Sequence, residues 1–298
     1  MNRIDLMNIS DLKAFVCVAE LHSFSRAAVR LHLTQPAVSK RVAALENSLN
    51  APLFDRIGRS VKLTTAGSAL LIHAQKILLA VEDSRRAIHN LSGEVSGKLS
   101  LGTSHHIGLH RLPSVLKSFT RQFPDAQLDL HFLDSETACS EVEQGALELA
   151  VVTLPPIDIT TIERPLTMLP IWQDPLVLVT AHDHPLCSLK KITYAALASH
   201  AAILPSPGTF TRKLIDHHFN KSEHPLSVRL ETNYLETIKM LVTIGQGWSV
   251  LPTTLIDKSL RAYPGHFTAQ RILGIVHHPK RTLSNAAQAF ISACQKQT

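Results

Sequence analysis

Cysteine is scarce in this chain, and long apolar runs are missing. Its 298 residues include four cysteines, and no two of them form a C-x-x-C pair. Such spacing argues against a disulfide framework or a zinc knuckle and fits a reducing cytoplasm. No apolar stretch reaches the roughly 18 residues of a membrane span. Acidic residues interrupt the N-terminal segment where a secretory signal needs an apolar run, so we expect a cytoplasmic protein without a membrane partner.

The short motifs of common enzyme classes are missing as well. The sequence contains no G-x-S-x-G elbow, no Walker loop, no G-x-G-x-x-G turn and no H-E-x-x-H pair. Hydrophobic residues make up 45% of the chain and charged residues 18%, which is typical of a folded protein rather than a disordered one. From the length of 298 residues we expect about two domains. We also expect no catalytic activity and no bound cofactor.

Positive charge is concentrated at one end of the chain. The formal net charge is +6, and residues 1–92 hold twelve lysines and arginines against seven acidic residues. The N-terminal third is therefore basic, while the remainder is close to neutral. This asymmetry indicates a polyanion partner for the N-terminal third, although a solvated basic surface is the alternative that charge alone leaves open.

The N-terminal third has the pattern of three short helices. Apolar residues recur at helical spacing over 12–19, which predicts the first helix. A second helix is predicted over Ser25–Leu31, with Ser23 or its own first residue as the cap. Thr34 is placed to cap a third helix, with Pro36 in its first turn, where proline is tolerated. Two short helices joined by a tight connection are typical of a helix-turn-helix.

The third helix and the segment after it present side chains suited to double-stranded DNA. Polar groups project from the first two turns of this helix, where they can bond base edges and phosphates in a major groove. Two short extended pieces around Gly58 predict a β-wing that carries cations. The predicted DNA-binding residues are Ser25, Arg26, Thr34, Gln35, Pro36, Ser39, Lys40, Arg41, Arg56, Arg59 and Lys62. The alternative is a small helical bundle with an ordinary polar face.

A long helical pattern without proline or glycine follows, between Ser68 and Ser92. Its apolar positions step alternately by four and three residues, which predicts a coiled-coil-like seam. The seam comprises Leu70, Ala74, Ile77, Val81, Ser84 and Ile88. One helix cannot bury such a seam by itself, so we expect it to pair with a second copy of the chain. The alternative is that the seam packs on its own downstream domain.

Beyond a hinge at residues 92–97, strand and helix patterns alternate. The βαβαβ order over residues 98–152 implies a parallel sheet flanked by helices, and a second unit follows it. Open sheets of this kind bind ligands beyond the carboxyl ends of their strands, where hydroxyls and helix starts favour a small anion. The candidate effector contacts are Thr103, Ser104, His105, Ser135, Thr153, Thr209 and Asn233. A single Ser or Thr at such a position is more often an N-cap than a ligand contact.

Histidine is unusually frequent, with 17 residues in the chain. Three of these lie on one short segment, at His105, His106 and His110. A metal site needs convergent ligands, usually with acidic or cysteine partners, and no local motif supplies them. Surface or capping histidines are therefore the favoured interpretation, and no metal site is predicted.

Taken together, these segments resemble a known family. The A-A pair at Ala27–Ala28, the T-Q-P-A-V-S run at Thr34–Ser39 and the L-T-x-A-G run at Leu63–Gly67 match its pattern. With L-F-x-R ending at Arg56, they closely resemble the winged helix-turn-helix of LysR-type transcriptional regulators. The G-x-L-E-L-A-V-V run at Gly145–Val152 resembles the periplasmic-binding-protein-like effector domain of the same family.

The resemblance implies an α/β fold class with three parts. These are an N-terminal winged helix-turn-helix at 1–66, a long linker and dimerisation helix at 67–92, and a two-subdomain effector domain at 93–298. Two crossing strands join the subdomains in this family. Subdomain I is therefore placed at 93–167 with 270–298, and subdomain II at 168–269.

The resemblance also implies a function. It is that of a transcription regulator that binds promoter DNA and is modulated by a small anionic metabolite held between the two subdomains. A homodimer or homotetramer is implied, with RNA polymerase as a further partner. A solute-binding protein is an alternative with a similar domain, but it normally has a signal peptide and lacks a basic winged segment.

Overall fold

The computed structural model describes residues 7–57, 60–156, 165–219, 224–267 and 269–297. The chain divides into two compact units between His89 and Asn90. No helix within these described ranges combines the length and the apolarity that crossing a membrane requires.

The first unit contains the predicted helix-turn-helix. Its helices are α1 (Ile9–Leu21), α2 (Phe24–Arg30) and α3 (Gln35–Leu49). Each helix begins after a residue whose side-chain oxygen accepts a bond from a backbone N–H of the first turn: Asn8, Ser23 and Thr34. Such caps satisfy N–H groups that have no partner inside the helix. Ser23 is therefore the cap of α2, and Ser25 lies exposed in its first turn.

The predicted wing is present as a two-stranded antiparallel hairpin. Its strands are β1 (Phe54–Ile57) and β2 (Ser60–Leu63). Glu46 of α3 anchors the hairpin, because its Oε1 accepts from the N–H of Leu53 at 2.8 Å and of Phe54 at 3.3 Å. The Phe54 ring also packs 5.4 Å from that of Phe15 on α1, measured between centroids. The wing is thus fixed to the helical core at its first strand.

One long helix, α4 (Thr65–Asn90), carries the predicted seam. Leu70 and Ala74 pack into the core of the helix-turn-helix itself, where Ala74 is fully buried. Ile77 and Ile88 remain 38% and 72% exposed. The expectation that the whole seam faces another chain is therefore wrong for its N-terminal half. The periodicity correctly identified an apolar face of α4. At Ala74 the small side chain lets α4 pack closely against the helix-turn-helix of the same chain.

The second unit is built on a mixed sheet. Within the described residues, seven strands form this sheet. Its first three strands along the chain are β3 (Gly97–Thr103), β4 (Ala126–Phe132) and β5 (Leu149–Thr153). The helices between them are α5 (His105–His110), α6 (Leu112–Gln122) and α7 (Ser135–Gln144). The three strands are parallel in the order β4, β3, β5, which confirms the predicted βαβαβ unit.

Two long strands cross between the subdomains. These are β6 (Thr167–Thr180) and β11 (Gln270–His277), which pair antiparallel. The register shifts between Leu273 and Gly274, and a Cβ at Gly274 would lie 2.4 Å from the Leu169 carbonyl oxygen. The crossing therefore needs glycine at this position. The far half of β6 pairs with β9 (Ser249–Pro252) and β10 (Arg261–Tyr263).

The remaining elements complete both subdomains. They are α8 (Tyr194–Ala198), β7 (Ala202–Leu204), α9 (Phe210–Phe219), β8 (Val228–Glu231), α10 (Leu235–Thr243) and α11 (Asn285–Gln295), with short 3-10 turns at Pro185–Ser188 and Thr253–Leu255. Trp248 lies fully buried in the core of subdomain II, and its indole N–H donates to the Leu197 carbonyl oxygen at 3.0 Å. In subdomain I, Phe290 of α11 packs edge-on against Phe119 of α6, with centroids 5.4 Å apart.

Candidate functional site

A cavity of about 360 Å³ lies in the second unit beyond the carboxyl ends of β3, β4 and β5, with residues from the start of α9 and α10 in its other wall. Six of the seven predicted effector contacts line it: Ser104, His105, Ser135, Thr153, Thr209 and Asn233. The sequence positions that follow separate strands are thus brought together in space.

Thr103 does not line this cavity. Its side chain is fully buried, and its hydroxyl donates to the Ser104 carbonyl oxygen at 3.4 Å. The expectation that Thr103 faces the cavity is therefore wrong. Thr103 is the covered last residue of β3, whereas Ser104, the residue before α5, lies at the opening.

Three helices begin at this cavity without a side-chain cap. The residues before α5, α7 and α10 are Ser104, Asp134 and Tyr234, and none of the three side chains accepts a bond from its own helix. Thr193 and Ser284 do cap their helices in this unit, whereas Arg111 before α6 does not. The first N–H groups of a helix have no partner within it and carry partial positive charge. These helix starts favour negative charge, part of which Glu136 and Glu236 in the first turns of α7 and α10 already supply.

A carboxylate of the chain already occupies a fourth helix start. Glu136 Oε1 accepts from the backbone N–H of Phe210, the first residue of α9. Burial raises the pKa of the Glu136 carboxyl, although hydrogen bonds from backbone N–H groups oppose this shift. An acid of subdomain I thus contacts a helix of subdomain II, and its raised pKa makes it easier to protonate than an ordinary glutamate.

Two of the predicted contacts have structural partners within the cavity wall. The Thr209 hydroxyl donates to the Ser206 carbonyl oxygen at 3.0 Å and accepts from the Arg212 N–H at 3.1 Å. The Asn233 amide accepts from the Ser206 N–H at 3.0 Å and donates to Asp134 Oδ2 at 2.8 Å. Thr209 therefore serves as an N-cap, and Asn233 links the two subdomains.

One wall of the cavity contains a buried ion pair that sequence reasoning missed. Arg271 of β11 lines the cavity, and its Nε donates to Asp174 Oδ2 on β6 at 3.0 Å. Arg271 also donates to the Thr211 hydroxyl at 3.2 Å, while Arg111 donates to Asp174 Oδ1 at 3.1 Å. Asp174 is fully buried and Arg271 is 3% exposed. The pair ties the crossing strands together, and no local motif signals partners 97 residues apart.

A histidine cluster adjoins the cavity. His106 and His105 of α5 line the cavity, and His106 Nδ1 lies 3.2 Å from Glu236 Oε1 on α10. His110 Nε2 lies 3.0 Å from the same oxygen, and His105 Nδ1 lies 3.6 Å from Glu236 Oε2. The acidic partner absent from the local sequence pattern is thus supplied from 126 residues away.

The electrostatics of this cluster favour a neutral imidazole beside an ionised carboxylate. Burial lowers the pKa of His106 and thus favours the neutral ring, although its hydrogen bond with Glu236 opposes the shift. Burial opposes ionisation of Glu236, but hydrogen bonds, first from His106 and also from His110, outweigh it and lower its pKa to about 2.

Seven of the eleven predicted DNA-binding residues have exposed side chains on the first unit. They are Ser25, Arg26, Thr34, Gln35, Pro36, Lys40 and Lys62. Ser39 and Arg41 are half-buried. Arg59 lies outside the described residues, and of Arg56 only its place in β1 is described.

The cations among these exposed residues are available to an external anion. Among the described residues, neither Lys40 nor Arg26 forms an ion pair, whereas Arg30 on the same helix as Arg26 pairs with Glu20 at 2.9 Å. Unpaired cations next to an exposed helix start are the arrangement that a phosphate backbone requires.

A winged helix-turn-helix joined to a two-subdomain α/β domain with a central cavity is the architecture of a ligand-responsive transcription regulator. Residues 9–68 match the bacterial regulatory helix-turn-helix protein family, lysR type, and residues 92–298 match the LysR substrate binding domain. The chain therefore belongs to the LysR family of bacterial transcriptional regulators.

Individual relatives agree with this assignment. An uncharacterized HTH-type transcriptional regulator of Azotobacter vinelandii is 64% identical over 107 residues, which are 36% of this chain and 74% of that protein. A protein named "Probable RuBisCO transcriptional regulator" from Synechocystis sp. is 32% identical over 294 residues, covering 95% of this chain and 84% of that one. The crystal structure of full-length CbnR with its target DNA is 20% identical, with a TM-score of 0.64 over 98% of this chain and 100% of that one, and shares the fold.

Proposed function

We propose that this chain is a cytoplasmic regulator that binds promoter DNA through α3 and the wing, and that a small metabolite with an anionic group controls it from the cavity. The observation that carries the effector proposal is the convergence of three uncapped helix starts on one cavity. Unpaired N–H groups at helix starts bind carboxylates and phosphates in many folds. Arg271 also lines this wall, with its charge paired to Asp174.

Duplex DNA tests the first half of this proposal. The purified chain is incubated with random-sequence duplexes, and the bound fraction is recovered and sequenced. We expect enrichment of an interrupted inverted repeat and binding that weakens steeply as salt rises. The CbnR structure with its target DNA, a protein of the same fold, supports this expectation. Failure to bind any duplex would contradict the proposal that α3 and the wing bind promoter DNA.

If the effector is anionic, removing the Glu136 carboxylate from the cavity wall should raise its affinity. Glu136→Gln keeps an oxygen that can accept from the Phe210 N–H but removes a negative charge from the cavity wall. We expect an anionic effector to bind about 5–30-fold more tightly, because about 1–2 kcal/mol of like-charge repulsion is removed. Small carboxylates and phosphates are first screened by thermal shift, since a ligand of the folded state raises its melting temperature.

A matched control for this test is Glu141→Gln, on the same helix but outside the cavity lining. It should leave the affinity of the screened ligand unchanged. Weaker binding by Glu136→Gln would show that the effector uses Glu136 as a partner, and the proposal of an anionic effector would then be wrong.

We also infer that the chain works as a dimer through the exposed half of the seam. Ile77 lies on that half of α4, and 38% of its surface stays exposed. Ile77→Glu would place two carboxylates in an apolar interface, so we expect the dimer to weaken at least about tenfold. Ile72→Glu, a similar change at a 57% exposed position off the seam, is the control. Analytical ultracentrifugation that shows the same oligomer for both variants and the wild type would contradict this inference.

A further inference from the structure

We propose that His106, His110 and Glu236 form a binding site for a divalent transition-metal ion of the Zn²⁺ class beside the effector cavity. The two histidines lie one turn apart on α5, and the glutamate lies in the first turn of α10. Two imidazoles and one carboxylate, with a position left for water or a further ligand, are a common ligand set of functional zinc sites.

The distances fit one shared ion. The three donor atoms all lie within 4.8 Å of one another, and Glu236 Oε1 is 3.2 Å from His106 Nδ1 and 3.0 Å from His110 Nε2. Donor atoms around a tetrahedral zinc ion are about 3.3 Å apart, given bond lengths of about 2.0–2.2 Å. Small side-chain rotations are therefore enough to surround an ion.

A buried carboxylate oxygen independently points to a cation at this position. Glu236 Oε2 is buried and, within the described part of the chain, has no hydrogen-bond partner. His105 Nδ1, at 3.6 Å, is too distant for a hydrogen bond but lies where it could approach as a fourth ligand. Leaving a buried carboxylate oxygen unsatisfied costs free energy, and a bound metal ion removes that cost.

The outer contact of His106 is also that of a metal ligand. Its Nε2 lies 3.3 Å from the Thr254 hydroxyl, so this nitrogen can carry the ring proton and donate it to Thr254. In the ion-free site the ring proton lies on Nδ1, which donates to Glu236 Oε1. An ion bound at Nδ1 would shift the tautomer, so that Nε2 carries the proton and the lone pair of Nδ1 faces the ion. Metal-bound histidines usually hydrogen-bond through their second nitrogen in this way, which fixes the tautomer and the ring orientation.

The position of the site gives the ion a regulatory consequence. Helix α5 belongs to subdomain I and α10 to subdomain II, so one ion would link both subdomains beside the cavity. His106 lines that cavity as well. Metal and effector would then stabilise the same arrangement and raise each other's affinity by the same factor. This coupling rests on the proposed effector function, whereas metal binding itself does not.

A Zn²⁺ titration of the metal-free chain tests the site. Competition with a fluorescent chelator measures the affinity of the wild type, His110→Gln and Glu236→Gln. We expect one tight Zn²⁺ per wild-type chain and at least about tenfold weaker binding in both variants. His217→Gln, which changes an exposed histidine of α9, should bind as the wild type does.

A spectroscopic measurement and a variant at an exposed position keep the test decisive. Cobalt(II) in place of zinc should give the visible absorption of a low-coordinate ion in the wild type and lose it in both variants. The one-third exposed position of His110 makes His110→Gln the deciding variant if Glu236→Gln does not fold. Equal Zn²⁺ affinity in His110→Gln and wild type would overturn the site. Zn²⁺ binding without any change in effector affinity would overturn only the coupling.

Discussion

Replacing Asp174 with alanine is expected to lower the free energy of unfolding of the second unit by about 3–5 kcal/mol. The change leaves Arg271 charged and 3% exposed, without the carboxylate that accepts from two of its nitrogens. Arg111 loses a partner in the same step. A buried guanidinium cannot escape the penalty by releasing its proton, because its pKa is too high.

Urea unfolding followed by tryptophan fluorescence measures this effect. Both tryptophans of the chain, Trp172 and Trp248, lie buried in the second unit, so the signal reports that unit. Asp125→Ala, at an exposed position of the same unit, should change stability by less than about 0.5 kcal/mol.

A double variant separates charge from packing in this test. Asp174→Leu with Arg271→Met removes both charges of the pair and keeps similar volume, so we expect it to regain part of the lost stability. A double variant as unstable as Asp174→Ala would mean that the loss comes from packing, and the account of the ion pair would be wrong.

The parts of the fold that depend on local pattern were predictable from the sequence. Helical spacing and capping residues located α1, α2 and α3, because Ser23 and Thr34 satisfy N–H groups of the helices that they precede. The βαβαβ order likewise led to the parallel strands β3, β4 and β5. Neighbouring residues determine these features, so a single sequence contains them.

Features set by distant partners were not predictable in this way. The 14-residue strand β6 contains Pro170 and Pro175, which remove backbone donors and interrupt the strand pattern of the sequence. That strand forms because β11 and β9 pair with it from far along the chain. The seam of α4 shows the same limit, since periodicity identifies an apolar face but not what covers it.

The residues of the candidate site also fall into two groups, those predictable from local pattern and those with distant partners. Hydroxyls after strand ends were found because parallel strands place their carboxyl ends at one edge. Glu136 and Glu236 were missed, since each acts on a residue more than 70 positions away. Asp174 was missed for the same reason, because a sequence does not show that a carboxylate is buried beside an arginine 97 positions away.

Sequence recognition should depend most on the first turn of α3, and Gln35→Ala is expected to lower affinity for the selected operator by about 1–3 kcal/mol. Gln35 is exposed directly after the Thr34 cap, at the end of the helix that enters a major groove in this fold class. Its amide can donate to and accept from one base edge, so its loss should leave affinity for random duplex nearly unchanged. The ratio of specific to random binding should therefore fall about 5–150-fold.

Two further variants of the same unit complete this test. The DNA affinity of each variant is measured by fluorescence anisotropy at several salt concentrations. Lys62→Ala, exposed on β2 of the wing, should weaken binding to both duplexes alike and reduce the salt slope by about 1, because a phosphate contact is independent of sequence. Asn47→Ala removes an exposed amide about 18 Å further along α3, given 1.5 Å of rise per residue, and should change neither quantity. An unchanged ratio in Gln35→Ala would mean that another element reads the bases, since the loss of a base contact must alter discrimination and not only affinity.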